Sequence, residues 1–323
     1  MLPNPALRRP HTAPARPGFR RGVRMLFPAA GIECHPLLPF SVALGVSFFT
    51  SMGGISGAFL LLPFQMSVLG YVNPGVSATN QFFNILACPA GVWRYWREGR
   101  LVWPLALTVA AGTLPGVLLG ALIRIHWLPD PRNFKIFAGL LLLYIGGRML
   151  GGLGRDRAQR EQAAGCRNAD GTLAVCRVPV WNTRTIEISF QDQTRTVSTP
   201  GLAFLSLVVG LAGGIYGIGG GAIMAPFLVS FFQLPVYITA GATLLSTFLT
   251  SVAGVTFYSL LAPLYPHVSV AADWRLGMLL GLGGMCGMYL GARCQKHVPA
   301  FALKALLAVM LLGLALAYLG RAL

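Results

Sequence analysis

Charge is what this sequence lacks. Lys, Arg, Asp and Glu make up 11% of its 323 residues, against roughly a quarter in soluble domains, while 55% are hydrophobic. Residues 36–93 contain none of the four, and neither do residues 196–272. Each run far exceeds the roughly 20 residues of one membrane crossing, so each holds several segments. Neither run alternates as strands do, and backbone polar groups in lipid must be satisfied within a segment. The expected fold class is an all-α polytopic membrane protein.

Other absences narrow the function. Asp and Glu number nine, and none falls deep in an apolar segment, which excludes a carboxylate proton relay through the bilayer. No paired carboxylates, His-Cys constellation or cofactor motif stands out, so the chain reads as no enzyme and needs no cofactor. Six cysteines (Cys34, Cys88, Cys166, Cys176, Cys286, Cys294) make no metal-type spacing with histidine. Cys166 and Cys176 share one loop, as free thiols in a cytoplasmic setting or as a bridge in an oxidising one. No apolar core followed by a small-residue cleavage site opens the chain, so no secretory signal is expected.

Basic residues are plentiful by contrast. The net charge is +16, but the Lys and Arg sit between hydrophobic segments, where they fix topology. We therefore expect no nucleic-acid partner, and the bilayer as the chain's surroundings. Residues 1–35 carry Arg8, Arg9, Arg16, Arg20, Arg21 and Arg24 with six prolines, and read as a disordered cytoplasmic arm. Arg94, Arg97 and Arg100 among Trp93, Tyr95 and Trp96 read as an interfacial anchor. His126 and His267 read as solvated loop residues.

Apolar segments fall at about 36–52, 58–70, 76–93, 101–123 and 134–150, then at about 200–215, 221–233, 236–262, 274–293 and 299–320. These give a first transmembrane repeat over 36–150, a soluble insert over 151–199 and a second repeat over 200–323. Within the insert, residues 185–198 alternate around a polar turn and predict a β-hairpin packed on the bundle or on a neighbouring subunit. A homo-oligomer is compatible with this.

The halves share landmarks. GISGAFLLLPF at 54–64 reads in register with GIGGGAIMAPF at 217–227, at a constant offset of 163. Ala78-Thr79 matches Ala242-Thr243 at 164, and Trp103, Gly112, Gly116 and Gly120 match Trp274, Gly283, Gly287 and Gly291 at 171. Six glycines within nine residues (213, 214, 217, 219, 220, 221) exceed what helix packing needs. Duplicated glycine interruptions in corresponding positions point to a transporter's binding site. The pair of short segments before each third segment forms a re-entrant hairpin or two short spans. A pair that returns to its own side makes the halves inverted; a pair that crosses only once makes them parallel.

These glycine-proline stretches, with Ala242-Thr243-Leu244-Leu245 and Asp273-Trp274 leading to Gly287-Met288-Tyr289-Leu290-Gly291-Ala292, resemble the TauE/SafE (TSUP) family of membrane transporters. The resemblance covers about 36–320 and implies transport of small sulfur-containing anions such as sulfite, sulfoacetate or organosulfonates, in the cell inner membrane. A passive channel for small anions or neutral solutes is the alternative.

For an oxyanion, helix N-termini at Ser56-Gly57 and Gly219-Gly220-Gly221 would supply N–H donors without a buried cation. Asn80, Gln81 and Asn84 on the third segment, and Thr243 on its counterpart, complete the expected substrate-binding set. No metal is expected there. Leu244 and Leu245 stand where the first half has Asn80 and Gln81, so polar selection should rest on the first half.

Overall fold

The computed structural model describes residues 24–52, 55–153, 177–190, 193–232, 234, 236–294 and 300–322. Among the described residues, five helices precede the insert, α1 (Leu37–Met52), α2 (Ala58–Ser67), α3 (Gly75–Arg97), α4 (Trp103–His126) and α5 (Pro131–Leu153). Five follow it: α6 (Thr199–Tyr216), α7 (Gly220–Ser230), α8 (Val236–Leu261), α9 (Trp274–Cys294) and α10 (Ala300–Ala322). Among the described residues four stretches, Trp103–His126, Pro131–Gly151, Thr199–Tyr216 and Ile238–Leu264, are long and apolar enough to cross a membrane. The protein is a polytopic all-α membrane protein with a small β insert.

Local chemistry sets several helix starts. Ser198 caps α6, its Oγ accepting from Gly201 N at 3.4 Å, with Pro200 in the first turn. Asp273 caps α9 through Oδ1, which accepts from Leu276 N at 3.0 Å. Pro74 precedes α3, and Pro104 lies in the first turn of α4.

Glycine ladders set the closest packing. Gly112, Gly116 and Gly120 of α4 lie against the backbone of α6 at Ala203, Leu207 and Leu211. Gly283, Gly287 and Gly291 of α9 lie likewise against Phe40, Leu44 and Phe48 of α1. At each of the six, a Cβ would fall closer than 3.0 Å to an atom of the partner helix. Without a hydrophobic drive between helices in lipid, such close approach is what association rests on.

The same contacts fix direction. Residue numbers rise together along α4 and α6, and along α9 and α1, so both pairs run parallel. In contrast α3 and α8 run antiparallel, with Gln81 against Gly254, Asn84 against Ser251 and Gly91 against Leu244. So do α5 and α10, with Gly139 against Leu319 and Gly146 against Leu312.

Short helix α7 turns back. Tyr216, ending α6, lies by Phe134 at the start of α5, whereas Phe227 of α7 and Phe231 just past its end lie by Tyr144 and Arg148 further along α5. Hence α7 follows α5 while α6 runs with α4 against it. At the other pair, Ser67, ending α2, donates to Tyr318 near the end of α10 at 3.4 Å. Helix α7 thus folds back beside the one before it.

The described part of the insert holds three strands, β3 (Arg177–Trp181), β4 (Thr185–Phe190) and β5 (Gln193–Ser198), in antiparallel order β3-β4-β5. The expected hairpin is β4–β5, with Thr185 opposite Ser198. Strand β3 is an addition to it. Ile186, Ile188 and Val197 are buried and continuous with the apolar core of the bundle.

The arm read as disordered over 1–35 is corrected from residue 25 onward. Strands β1 (Met25–Phe27) and β2 (Ile32–Cys34) form an antiparallel hairpin. Asp273 holds its turn, Oδ2 accepting from both Ala29 N and Ala30 N at 3.0 Å. Ser269 Oγ donates to Ala29 O at 2.8 Å, and Phe27 is fully buried. The residues before 24, and Cys166 and Cys176, lie outside the described residues.

Candidate functional site

The two junctions meet. Asn80 on α3 donates from Nδ2 to Ala58 O at the first junction and to Gly217 O at the second, both at 3.0 Å. One turn on, Asn84 repeats this link. Its Nδ2 donates to Ile218 O at 3.0 Å and to Ser251 Oγ at 3.3 Å, while its Oδ1 accepts from Ser56 Oγ at 2.5 Å. A further strap runs from Tyr216, whose hydroxyl donates to Phe59 O at 2.9 Å. Asn80, Asn84, Ser56 and Tyr216 are all fully buried.

The second junction needs glycine. Gly217 closes α6 in the left-handed region at φ 82°, and its N–H donates to Gly213 O at 2.8 Å. Gly219 stands at φ 73°, ψ 153°, a region that L-residues avoid. Space is equally restrictive. A Cβ on Gly217 would meet Ser77, on Gly220 would meet Thr113, and on Gly221 would meet the Thr243 carbonyl, each closer than 3.0 Å. Thr113 lies near the middle of α4, so this junction sits well inside the bundle.

At the first junction, Gly57 packs by Ser47 and Phe83, and Ser56 Oγ accepts from Ala58 N at 3.3 Å, bridging the start of α2. Gly54 falls outside the described residues.

Not every expected residue joins this cluster. Gln81 turns to Gly254 of α8, and neither end of its buried amide has a hydrogen-bond partner among the described residues. Thr243 donates its hydroxyl to Thr239 O and Ala240 O of its own helix, at 2.9 and 3.1 Å. It offers the junction a carbonyl rather than a hydroxyl.

Other residues enter that the sequence reading passed over. Gln65 Nε2 donates to Asn80 Oδ1 at 3.3 Å, and Ser77 Oγ to Ile215 O at 3.3 Å. Ser77, Asn80 and Asn84 stand at helical spacing on one face of α3, a signal available in the sequence. Neither asparagine amide is spare in this conformation: each nitrogen serves two acceptors, and each oxygen serves a donor.

The surrounding cations are mostly accounted for. Glu98 pairs with Arg94 at 2.5 Å and with Arg100, while Arg97 lies 6.0 Å from the Trp93 ring centroid and Arg100 4.9 Å from that of Tyr95. Burial lowers the Arg100 pKa from the ordinary arginine value. His126 is tied to Tyr265, Nε2 to hydroxyl 2.7 Å, rather than simply solvated. Among the described residues no His, Cys, Asp and Glu group could hold a metal ion.

Residues 39–318 match the family described as sulfite exporter TauE/SafE. The chain is 26% identical over 264 residues to a probable membrane transporter protein of Xylella fastidiosa (strain 9a5c), covering 79% of this chain and 83% of that one. It is likewise 26% identical over 265 residues, with the same coverage, to a protein of that description from strain Temecula1. To the probable membrane transporter protein YunE of Bacillus subtilis (strain 168) it is 26% identical over 108 residues, 33% of this chain and 37% of that one. No solved structure matches. With most of both helical halves inside the matched region, the chain belongs to the TauE/SafE family, a family of membrane transporters rather than enzymes.

Proposed function

We propose that this protein is a secondary transporter carrying a small sulfur-containing anion (sulfite, sulfoacetate or a related organosulfonate) across the cell inner membrane by alternating access around its two junctions. One observation carries the reading: Asn80 and Asn84 each bond to both junctions at once. Motion at either junction therefore has to break or exchange the same few hydrogen bonds. A bound oxyanion supplies the exchange, accepting from amide N–H groups that otherwise point at Ala58 O, Gly217 O and Ile218 O. Backbone donors at Ser56-Gly57 and Gly219-Gly220-Gly221 add positive potential without a cation.

The alternation itself draws on an inverted repeat. Exchanging the two halves maps the α4–α6 pair onto the α9–α1 pair, glycine ladder onto glycine ladder. It maps α3 onto α8 and α5 onto α10, and these equivalents run antiparallel. A pseudo-twofold axis along the membrane normal would leave equivalent helices parallel, so their antiparallel course supports an axis in the membrane plane, as in many secondary transporters. The test is uptake of radiolabelled sulfite, sulfoacetate, taurine and a non-sulfur carboxylate into proteoliposomes. Saturable uptake restricted to sulfur anions is the expected result; linear, unsaturable flux would indicate a channel instead.

A further inference from the structure

Arg124 is an unusual residue to find where it is. It belongs to the last turn of α4, yet its side chain is fully buried. Nη1 donates to Leu128 O, and the guanidinium carbon lies 3.9 Å from the Phe134 ring centroid. Its Nε and Nη2 have no hydrogen-bond partner among the described residues, and no described carboxylate pairs with it. Burying a cation with open donors and no counter-charge is costly unless something negative arrives to meet them.

Its neighbours are polar in the same unfinished way. Tyr258 of α8, fully buried, packs in one cluster with Ala78 of α3 and Ala121 and Ile125 of α4, and its hydroxyl has no hydrogen-bond partner among the described residues. One turn along the same antiparallel pair, Gln81 lies against Gly254 with both ends of its amide unpartnered among the described residues. One turn further, Asn84 meets Ser251, and the two junctions begin. Apolar side chains wall this file on the α3, α4 and α8 sides, among them Ala78, Phe82, Ala121, Ile125 and Val255.

We propose that Arg124, Tyr258 and Gln81 form a second anion station, one that receives a small oxyanion at the α4 end of the bundle and passes it along the α3–α8 seam to the junctions. An oxyanion suits each member: a forked cation with two open N–H groups, a hydroxyl and an amide N–H. Gly254 belongs to the design, because a Cβ there would fall closer than 3.0 Å to the Gln81 amide. The station rests on the transport reading above for its substrate class, but not for its existence.

The test uses the full chain in lipid nanodiscs, titrated with sulfite, thiosulfate, nitrate and acetate and read by anion-dependent thermal shift, beside proteoliposome uptake. Arg124→Gln is expected to raise the half-saturating concentration of the preferred anion by about ten- to a hundredfold, the size of one lost hydrogen bond to a charged group. Arg124→Lys should lose less, since charge is kept and only the fork is lost. Tyr258→Phe and Gly254→Ala, which leave the cation in place, should each weaken binding severalfold. Should Arg124→Gln fail to insert, the other three titrations decide the matter. Half-saturation unchanged in every variant that inserts, while the parent chain binds and transports sulfite, overturns the station and leaves the transport reading standing. Arg124-dependent binding of nitrate or acetate, with no sulfur anion bound or carried, supports the station and overturns the substrate class.

Discussion

Asn80 Nδ2 and the Gly217 carbonyl oxygen are joined across 137 positions of sequence by a 3.0 Å hydrogen bond. The same nitrogen holds Ala58 O at 3.0 Å, so one side chain from the first half ties down a junction in each half. Such a buried and fully used amide is not interchangeable with a carboxylate or a methyl group.

Asn80→Ala should leave the two carbonyls unsatisfied, and Asn80→Asp should add oxygen–oxygen repulsion in the same place. Each orphaned buried group costs about 1–3 kcal/mol. Both variants should melt earlier than the parent chain in detergent, the aspartate more so. Equal melting of all three would mean the bonds carry no stability.

The asymmetry between halves gives a second expectation. Asn84→Ala should raise the half-saturating substrate concentration about ten- to a hundredfold in vesicle uptake at matched protein levels. Leu244→Ala and Leu245→Ala remove buried apolar groups and should change expression or stability without that shift. Equal shifts in both halves would contradict a polar site built from α3.

Backbone geometry predicts a graded glycine series. Gly217→Ala combines φ 82° with a Cβ closer than 3.0 Å to the Ser77 backbone, and should abolish transport or insertion. At Gly220 a Cβ meets Thr113, so Gly220→Val should be severe. Gly57→Val is expected to be milder, because the nearest obstacle is the Ser47 hydroxyl, which can rotate. Gly313, with nothing within 4 Å of its Cβ position, is the control, and Gly313→Ala should be nearly neutral in melting temperature and uptake.

Asp273→Ala should release the N-terminal hairpin while the bundle persists. The carboxylate accepts from Ala29 N, Ala30 N and Leu276 N, so both the turn and the α9 cap lose their acceptor together. Hydrogen exchange at Ala29 and Ala30 is the readout, and unchanged protection there would assign the hairpin's order to Phe27 packing instead.

How much of this was legible beforehand depends on the range of the interactions involved. The glycine-proline stretches and the ladders at Gly112 and Gly283 declare themselves because glycine serves a local backbone need wherever it stands. Asn80 and Asn84 stand out as amides in an apolar run, but nothing local says that their nitrogens reach Gly217 and Ile218. The hairpin at residue 25 was invisible for a similar reason, its anchor lying 244 positions away at Asp273. Strand β3 carries Pro179 and too few residues to show alternation. Nothing local in the sequence marks Arg124 as buried; its guanidinium lies under the Phe134 ring of α5, a contact between two helices.

Initial-rate sulfite uptake into proteoliposomes, over a full concentration range for the parent chain and Asn80→Ala, puts the junction site to its most direct test. Saturable uptake in the parent, with the half-saturating concentration raised at least tenfold or uptake lost in well-inserted Asn80→Ala, is the expected result. Flux that rises linearly without saturating, or identical saturation curves for the two proteins, would contradict transport through a site held by Asn80.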